Sequence, residues 1–264
     1  MHNRSVNARQ PLRPLCCKTH RQHCAPSRTS GADRYRYPLP SVNNHTIQAA
    51  AVEVQRRTPE ALQRTEEPYA GLLPHVEVKL KAISGCDRRS EARLLDQAAQ
   101  AGTVAKRVMW LRKAANYLQE GAAHLAACRK GCSHCCHISV MVSRAEAQVI
   151  ARETGAHLNT AAGQFTMQGF EEQSETIRAA TLQAYGAACT FLREGSCSIY
   201  SSRPLQCRLL LNMDDDDLLC QLIENGDSNV PYLNTTEHHI ASVTVLGAHQ
   251  DYDDLRNWFP RGLA

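Results

Sequence analysis

Hydrophobic residues recur at helical spacing over most of the chain after residue 90. From Glu91 to Cys128, apolar positions return every three or four residues, which predicts a long helical stretch. Gly102 or Gly121 is expected to interrupt this stretch, because glycine disfavours the interior of a helix. The helix is predicted to run directly into Cys128, and Gly131 supplies the conformational freedom for the turn that follows.

Two more helices are predicted in the middle of the chain. Residues 143–146 have the form of a capping box, in which the side chains of Ser143 and Glu146 satisfy the first backbone N–H groups of a helix. This helix is expected to continue to about Thr154 and to end at Gly155. A longer amphipathic helix is predicted over residues 160–188.

The remainder of the chain alternates short extended segments with helices. Residues 190–200 are predicted to form two short extended segments around a glycine turn, and Arg203 with Pro204 begins a tight turn or a short helix. A helix that carries Cys220 is predicted over residues 214–224, because the run of aspartates suits the positive end of a helix dipole. A final helical segment covers residues 236–258. The predicted fold class is mainly α: a small helical domain with a short hairpin-like segment.

Residues 1–85 differ from the rest of the chain in their pattern. They contain eight of the 11 prolines, and no helical or alternating period persists there for more than about a dozen residues. Such a segment buries too little apolar surface to offset the loss of chain entropy, so it is predicted to be a disordered N-terminal tail. Residues 86–264 then form the helical domain. The tail also carries Cys16, Cys17 and Cys24, which are not expected to hold a metal without a surrounding fold.

The excess of positive charge lies in the tail. Residues 1–85 carry 13 Lys or Arg against 6 Asp or Glu, whereas residues 86–264 carry 17 against 20. This balance argues against a nucleic-acid-binding surface on the folded domain. The basic start of the chain also fits an organelle transit peptide, but the chain lacks the apolar region of a signal peptide and the ~18 apolar residues of a membrane span. We therefore expect a cytoplasmic protein without a membrane partner.

Eight cysteines between residues 128 and 220 dominate the chemistry that the sequence offers. Thiolates are soft, strong ligands for zinc, Cu(I) and iron–sulfur clusters. In the reducing cytosol, such cysteines are more often metal ligands than disulfides. Eight is also the number of ligands that two four-thiolate sites require. The predicted metal ligands are Cys128, Cys132, Cys135, Cys136, Cys189, Cys197, Cys207 and Cys220.

The adjacent pair Cys135 and Cys136 indicates more than one site. Neighbouring side chains project in different directions, so the pair seldom completes a single tetrahedron with the cysteines before it. Either the two serve separate sites, or one thiolate bridges two metals. If each site takes ligands from both halves of the cysteine set, metal binding joins the halves and contributes to folding. Four thiolates on a divalent ion leave a net negative charge, which Arg203 and Arg208 are predicted to offset by N–H···S contacts.

Three other interpretations of these residues are open but less favoured. His134 and His137 flank the cysteines and could each replace a thiolate. The spacing of the first three cysteines reproduces the CxxxCxxC of radical S-adenosylmethionine enzymes, but the 129 residues after Cys135 have mainly helical patterns instead of those of a β/α partial barrel. The aspartates at 214–217 could bind a hard cation, although consecutive carboxylates are usually a solvated helix start.

Two separated motifs agree in order and residue type with one known family. The motifs are Cys128-x3-Cys132-x2-Cys135-Cys136, then Cys189-Thr-Phe-Leu and Cys197-Ser-Ile-Tyr-x2-Arg203-Pro204-x2-Cys207-Arg208. Together they resemble the YkgJ-type cysteine cluster proteins, which are zinc- or iron-chelating domains of the CxxCxxCC type. The resemblance covers residues 120–225, with three residues instead of two inside the first pair. It implies a small, mostly helical, metal-binding bacterial protein, and Cys220 is similar to an additional cysteine of many members.

The sequence thus predicts a protein that chelates zinc or iron through cysteine thiolates, with a 4Fe-4S cluster as one form of the iron. Whether the protein is an enzyme stays open. One alternative is an iron–sulfur enzyme with a protein-lysine methyltransferase-like activity, because a flagellin lysine methylase is a distant relative of the family. The other alternative is a thiol redox switch, in which release of zinc lets the cysteines form disulfides. The metal ion is the one partner predicted.

Overall fold

The structure, a computed structural model, describes residues 74–84, 88–129, 131–168, 172–221 and 230–263. The described part is mainly helical, so the predicted fold class is confirmed. The tail predicted over residues 1–85 lies outside the described residues except for its end, which forms a helix. The α-helices are α1 (Pro74–Ser84), α2 (Arg89–Gln100), α3 (Val104–Ala122), α4 (Arg144–Thr154), α5 (Ser174–Ala184), α6 (Leu205–Leu209), α7 (Thr236–Leu246) and α8 (Leu255–Trp258).

The long helical stretch predicted from residue 91 is divided between α2 and α3. The break falls at Gly102, as predicted, and the Thr103 side chain then accepts a hydrogen bond from the Lys106 N–H to start α3. The prediction that the helix runs into Cys128 is wrong, because α3 ends at Ala122. Beyond this end, the backbone N–H of Ala127 donates to the carbonyl oxygen of another segment, at residue 212, over 2.9 Å.

A three-stranded antiparallel sheet joins distant parts of the chain. Its order is β1 (Met141–Ser143), β5 (Asp251–Asp254) and β2 (Phe165–Thr166), so the C-terminal strand lies in the middle. Met141 pairs with Asp254, and Phe165 pairs with Tyr252. The sheet places the C-terminal residues directly beside the segment that follows the first cysteines.

Two predicted helices are wrong over part of their length because of this sheet. The helix expected over residues 160–188 is reduced to α5, and the one expected over residues 236–258 is reduced to α7 and the short α8. Gly163 and Gly247 have positive φ angles of 106° and 101°, which helical residues do not adopt. Phe165 is buried in the sheet, so its apolar side chain marks strand pairing and not a helix face.

The shorter predicted elements are confirmed. Helix α4 starts at the predicted cap, where the Ser143 side chain accepts from the Glu146 N–H, and it ends at Gly155 with φ 74°. The predicted extended segments form a hairpin of β3 (Leu192–Arg193) and β4 (Ser196–Cys197) around a turn with positive φ at both central residues. The predicted short helix is α6, which carries Cys207.

Three hydrophobic clusters fill the interior of the described part. One lies between the sheet, α4 and α8 and includes Phe191 and Trp258, and a second joins α2, α3, α4, α6 and α7. The third packs Val76 of α1 against Leu211 and Met213. The predicted domain boundary at residue 86 stays a prediction, but the contacts of Val76 tie α1 to the helical domain.

Candidate metal centre

The eight predicted ligands are free thiols in the structure. They come from three stretches of chain: the loop after α3, the hairpin region, and the region from α6 to a short 3-10 helix at Leu218–Cys220. Cys128 is exposed and the other seven are half-buried. We sort them into two groups by their hydrogen bonds and electrostatic contacts, and Cys135 has contacts in both. We call Cys128, Cys132, Cys135 and Cys220 the first thiol group, and Cys136, Cys189, Cys197 and Cys207 the second thiol group.

The first thiol group is held together by Asn212. Its backbone N–H donates to the Cys128 sulfur over 3.4 Å, and its side-chain amide donates to the Cys220 sulfur over 3.3 Å. Burial raises the pKa of Cys220 to about 12, and the thiols of Cys128, Cys132 and Cys135 add to this effect. The Asn212 side chain is itself buried, so its donor has a fixed direction.

The second thiol group packs against the hydrophobic core. Cys189, Cys197 and Cys207 contact the core cluster that contains Phe191 and Trp258. Burial raises the pKa of Cys207 well above its usual value, and Cys135, Cys189 and Cys197 raise it further. The backbone N–H of Cys189 donates to the Cys136 carbonyl over 2.7 Å, which connects the hairpin region to the first cysteine cluster.

Cys135 and Cys136 connect the two groups. Both lie in a 3-10 helix at His134–His137, where successive side chains point about 120° apart. A hydrogen bond between the two thiols lowers the pKa of Cys135 and raises that of Cys136. The Cys135 thiol interacts with Cys220 on one side and with Cys207 on the other. Cys135 therefore contacts members of both groups, and Cys136 contacts Cys189 and Cys207 of the second.

Arg203 has buried hydrogen-bond donors without a partner among the described residues. Its guanidinium lies 3.7 Å over the Tyr200 ring, and its Nη2 donates to Gln119. The Nε and Nη1 groups are buried and have no hydrogen-bond partner in the part of the chain that the structure describes. Burial raises the pKa of Cys197, and the charge of Arg203 opposes this effect. The unpaired donors therefore lie close enough to the thiols to act on them electrostatically.

Arg208, the other arginine predicted beside the ligands, has a different set of contacts. Its Nε donates to the Arg203 carbonyl, its Nη1 to Asn116 and its Nη2 to the Ser201 carbonyl, over 3.0, 2.7 and 2.5 Å. Burial lowers the pKa of Arg208 to about 10, and the charges of Arg112 and Arg203 lower it further. Arg208 thus fixes the backbone around Arg203, and its hydrogen bonds go to oxygen atoms.

Sequence reasoning missed Arg256, which supports the second thiol group. Its Nη2 donates to the carbonyls of Cys136, Ile138 and Ala187, and its Nε donates to the carbonyl of residue 188. Its Nη1 pairs with the buried carboxylate of Asp254 at 3.0 Å. No local signal identifies the contacts to the carbonyls, because they join residues about 70 to 120 positions apart. The predicted continuous helix over residues 236–258 also obscured them.

The aspartates at 214–217 do not form a solvated helix start. The described part of this segment is a series of bends, followed by the 3-10 helix that ends at Cys220, so the predicted α-helix around Cys220 is wrong as far as residue 221. Asp214 is buried and lies 2.8 Å from His75, and Asp215 pairs with Lys79 of α1. Asp214 and Asp215 thus face side chains of α1, and the Asp216 carboxylate accepts from the Leu218 N–H.

Asp217 belongs to a small group of side chains beside the first thiol group. One ligand atom each from Cys132, His134 and Asp217 lie within 4.8 Å of one another, and His134 Nε2 is 3.5 Å from Asp217 Oδ2. Arg129 pairs with the same carboxylate at 2.9 Å. His137 lies elsewhere, with its Nδ1 3.1 Å from the Ser133 carbonyl oxygen. Of the two histidines that flank the cysteines, His134 is therefore the one that lies beside Cys132 and Asp217.

Comparison with known proteins agrees with the resemblance found in the motifs. Residues 127–228 match the model of the CxxCxxCC family, described as a "putative zinc- or iron-chelating domain". The match covers all eight thiols of the two groups. No curated protein and no solved structure matches the chain. Among the described residues, no helix combines the length and the hydrophobicity that crossing a membrane requires.

Proposed function

We propose that the protein holds zinc or iron in two four-cysteine sites, one in each thiol group. The first site would use Cys128, Cys132, Cys135 and Cys220, and the second Cys136, Cys189, Cys197 and Cys207. The observation that carries this proposal is that Cys220 lies beside Cys128, Cys132 and Cys135, whereas Cys136 and Cys207 lie beside Cys189. Four thiolates are a complete ligand set for a structural zinc ion or a cluster iron site.

The arginine beside the thiols supports a metal at the second site. The buried Nε and Nη1 groups of Arg203 have no partner among the described residues, and a buried donor without an acceptor is unfavourable. Thiolates that carry a metal are negatively charged acceptors, so Arg203 would donate to them and reduce the net charge of the site. The residues present therefore fit a metal–thiolate centre.

Each site would join parts of the chain that are distant in sequence. The first contains three cysteines of the loop after α3 together with Cys220, and the second joins Cys136 to the three cysteines that follow α5. Metal binding in such a site is part of the folding free energy, on the order of 10 kcal/mol for a structural zinc ion. The metal would thus stabilise the segment from 128 to 220. A reducing compartment such as the cytoplasm would keep the thiols available.

An iron–sulfur cluster is the second candidate. It is favoured by the same unpaired Arg203 donors, because the bridging sulfides of a cluster accept hydrogen bonds and these bonds tune its potential. In that case the enzyme hypothesis would gain support. For zinc, the protein would serve as a metal-dependent scaffold or in metal handling.

The test is elemental analysis with ultraviolet–visible spectroscopy on anaerobically purified protein. A colourless protein with about two zinc ions per chain would support two zinc sites. Broad brown absorbance with iron and acid-labile sulfide would support a cluster. Protein that holds neither metal, both as purified and after incubation with zinc or with iron and sulfide, would refute the proposal.

A further inference from the structure

Cys132, His134 and Asp217 form a ligand set that differs in chemistry from both thiol groups. One sulfur, one imidazole nitrogen and one carboxylate oxygen lie within 4.8 Å of one another. The side chains of His134 and Asp217 are 20% and 21% exposed, so solvent reaches this set. Metal–nitrogen and metal–sulfur bonds of about 2.0 and 2.3 Å place tetrahedral ligands roughly 3.3 to 3.8 Å apart. The 3.5 Å between His134 Nε2 and Asp217 Oδ2 already falls in this range.

We propose that Cys132, His134 and Asp217 are a capture site, where a divalent metal ion binds first before it moves into the first thiol group. This inference rests on the proposed function, because it assumes that the first thiol group is the destination. Sulfur, nitrogen and oxygen ligands together suit a borderline ion such as zinc or ferrous iron. The fourth position would be taken by water.

The mixed ligand set is more accessible than the first thiol group as a whole. Asp217 and His134 are reached by solvent and add an oxygen and a nitrogen ligand to the sulfur of Cys132. An arriving ion can therefore be held by these three side chains before the remaining thiols of the group bind it.

Cys132 is shared by the capture site and the first thiol group, which gives the ion a direct route. The ion would keep its bond to Cys132 while it exchanges His134, Asp217 and water for the thiolates of Cys128, Cys135 and Cys220. Each of these thiols releases one proton to solvent. The ion keeps its oxidation state, so the transfer needs no electron donor or acceptor.

Arg129 would compete with the ion at the capture site. Its Nη2 pairs with Asp217 at 2.9 Å, and its side chain is 65% exposed. An exposed ion pair of this kind is weak and is screened by salt, so an arriving cation can displace it. The pair nevertheless occupies the carboxylate until that moment. Removal of Arg129 should therefore speed the capture of metal.

The test measures the rate of metal loading separately from the final metal content. Metal-free, reduced protein is mixed with Co²⁺ in a stopped-flow instrument, and the thiolate charge-transfer band reports arrival in the thiol groups. We expect His134→Ala and Asp217→Asn to slow the first-group phase by about tenfold, the lower end of the effect of losing a metal-orienting group. Arg129→Ala should accelerate it. His137→Ala is the matched control and should load like the wild type, because His137 contacts the Ser133 carbonyl instead.

The final state separates capture from permanent ligation. For a capture site, the Co²⁺ content and the spectrum of fully loaded His134→Ala and Asp217→Asn stay those of the wild type. Loading of both variants at the wild-type rate would overturn the inference. A lower final content or a changed final spectrum would also overturn it, because His134 or Asp217 would then be a lasting ligand. A wild type that binds no metal at all is a different result, which refutes the proposed function itself.

Discussion

The two thiol groups of this protein differ in what surrounds them. Three members of the second group pack against a core cluster, and Arg256 fixes the backbone at Cys136 and just before Cys189 by hydrogen bonds to four carbonyls. The first group lies among loops, includes the exposed Cys128, and is joined mainly by Asn212. The second thiol group is thus fixed by the core, whereas the first is more accessible to solvent.

This difference implies different uses for the same four-cysteine arrangement. Ligands fixed by core packing lose little freedom when a metal binds, so the complex is stable and slow to exchange. Ligands in loops reach the metal from solvent more easily, but they open more readily as well. We therefore expect the second group to stabilise the fold and the first group to exchange its ion.

The largest expected effect comes from removing one ligand of each group. Cys207→Ser should abolish the second metal and much of the stability that it provides, on the order of 10 kcal/mol. Cys128→Ser should lower the metal content while residues around the sheet remain folded. Metal content per chain and urea unfolding measure both. Equal destabilisation by the two variants would remove the contrast, and Cys16→Ser in the predicted tail should change neither quantity.

The next largest effect is expected from loss of the hydrogen bonds that Arg256 makes beside the second thiol group. Arg256→Ala removes the hydrogen bonds to the carbonyls of Cys136 and its neighbours and leaves the buried Asp254 carboxylate without its cation. We expect a loss of about 3–5 kcal/mol in the free energy of unfolding, as for other broken buried ion pairs. Chemical denaturation of the metal-free protein measures it. Arg152→Ala is the matched control, because Arg152 is exposed and donates to a carbonyl of its own helix.

If Arg256→Ala lowers the free energy of unfolding no more than Arg152→Ala does, the second thiol group does not depend on the hydrogen bonds of Arg256.

The third expected effect is the acid sensitivity of the fold, tested at a carboxylate that belongs to neither thiol group. Glu91 is buried, and although burial raises its pKa, hydrogen bonds from Arg88 and His238 lower it to about 2 from 4.5. Because the folded-state pKa is the lower one, this carboxylate stabilises the fold above pH 4.5 and loses its contribution as the pH falls toward 2. The shift corresponds to at most about 3 kcal/mol, and we expect about 2 because the Arg88 side chain is 47% exposed and screened by solvent.

The measurement for Glu91 is the urea midpoint of metal-free protein at several pH values between 6 and 3. The stability of the wild type should fall more steeply than that of Glu91→Gln in this range. Parallel curves would show that the pairing of Glu91 contributes nothing to acid sensitivity.

The smallest expected effect tests the residue that joins the first group. Asn212→Asp keeps the shape and the oxygen that accepts from the Asp214 N–H, but it replaces the donor to Cys220 by a negative charge. We expect the metal affinity of the first group to fall about tenfold, since the backbone donor to Cys128 remains. Competition with a chelator measures this, and Asn234→Asp, with the same change of charge at an exposed residue, should not alter it. Unchanged affinity would show that the side-chain donor of Asn212 to Cys220 contributes nothing to metal binding.

Local signals in the sequence predicted the fold where a single residue type decides the backbone. The cap at Ser143, the helix end at Gly155 and the hairpin turn before Cys197 were all predictable, because each depends on neighbours in sequence. The sheet was not predictable in this way. Strand β5 has only four residues, with aspartates at three positions, and it forms because β1 and β2 supply partners from both sides. Tertiary pairing there overrides a helical pattern.

The candidate site divides in the same manner. Spacing alone predicted the eight cysteines as ligands and indicated two sites or a bridging thiolate, since an adjacent pair seldom completes a single tetrahedron. The contributions of Asn212 and Arg256 could not be found, because their contacts depend on how distant loops meet. Arg203 and Arg208 looked equivalent in sequence. Only the structure separates Arg203, whose Nε and Nη1 have no hydrogen-bond partner among the described residues, from Arg208, whose three nitrogens each donate to an oxygen.

The position of Arg256 in the chain also has a consequence for synthesis on the ribosome. The last cysteine of the second group, Cys207, is made about 50 residues before Arg256. At a translation rate of about 5–20 residues per second, strand β5 and Arg256 are made roughly 2–10 s after the last of the four thiols. The capture site and the first thiol group are complete once Cys220 has been made. They could therefore bind metal while residues 221–256 are still being synthesised. The nascent protein would then receive its exchangeable ion before its structural one.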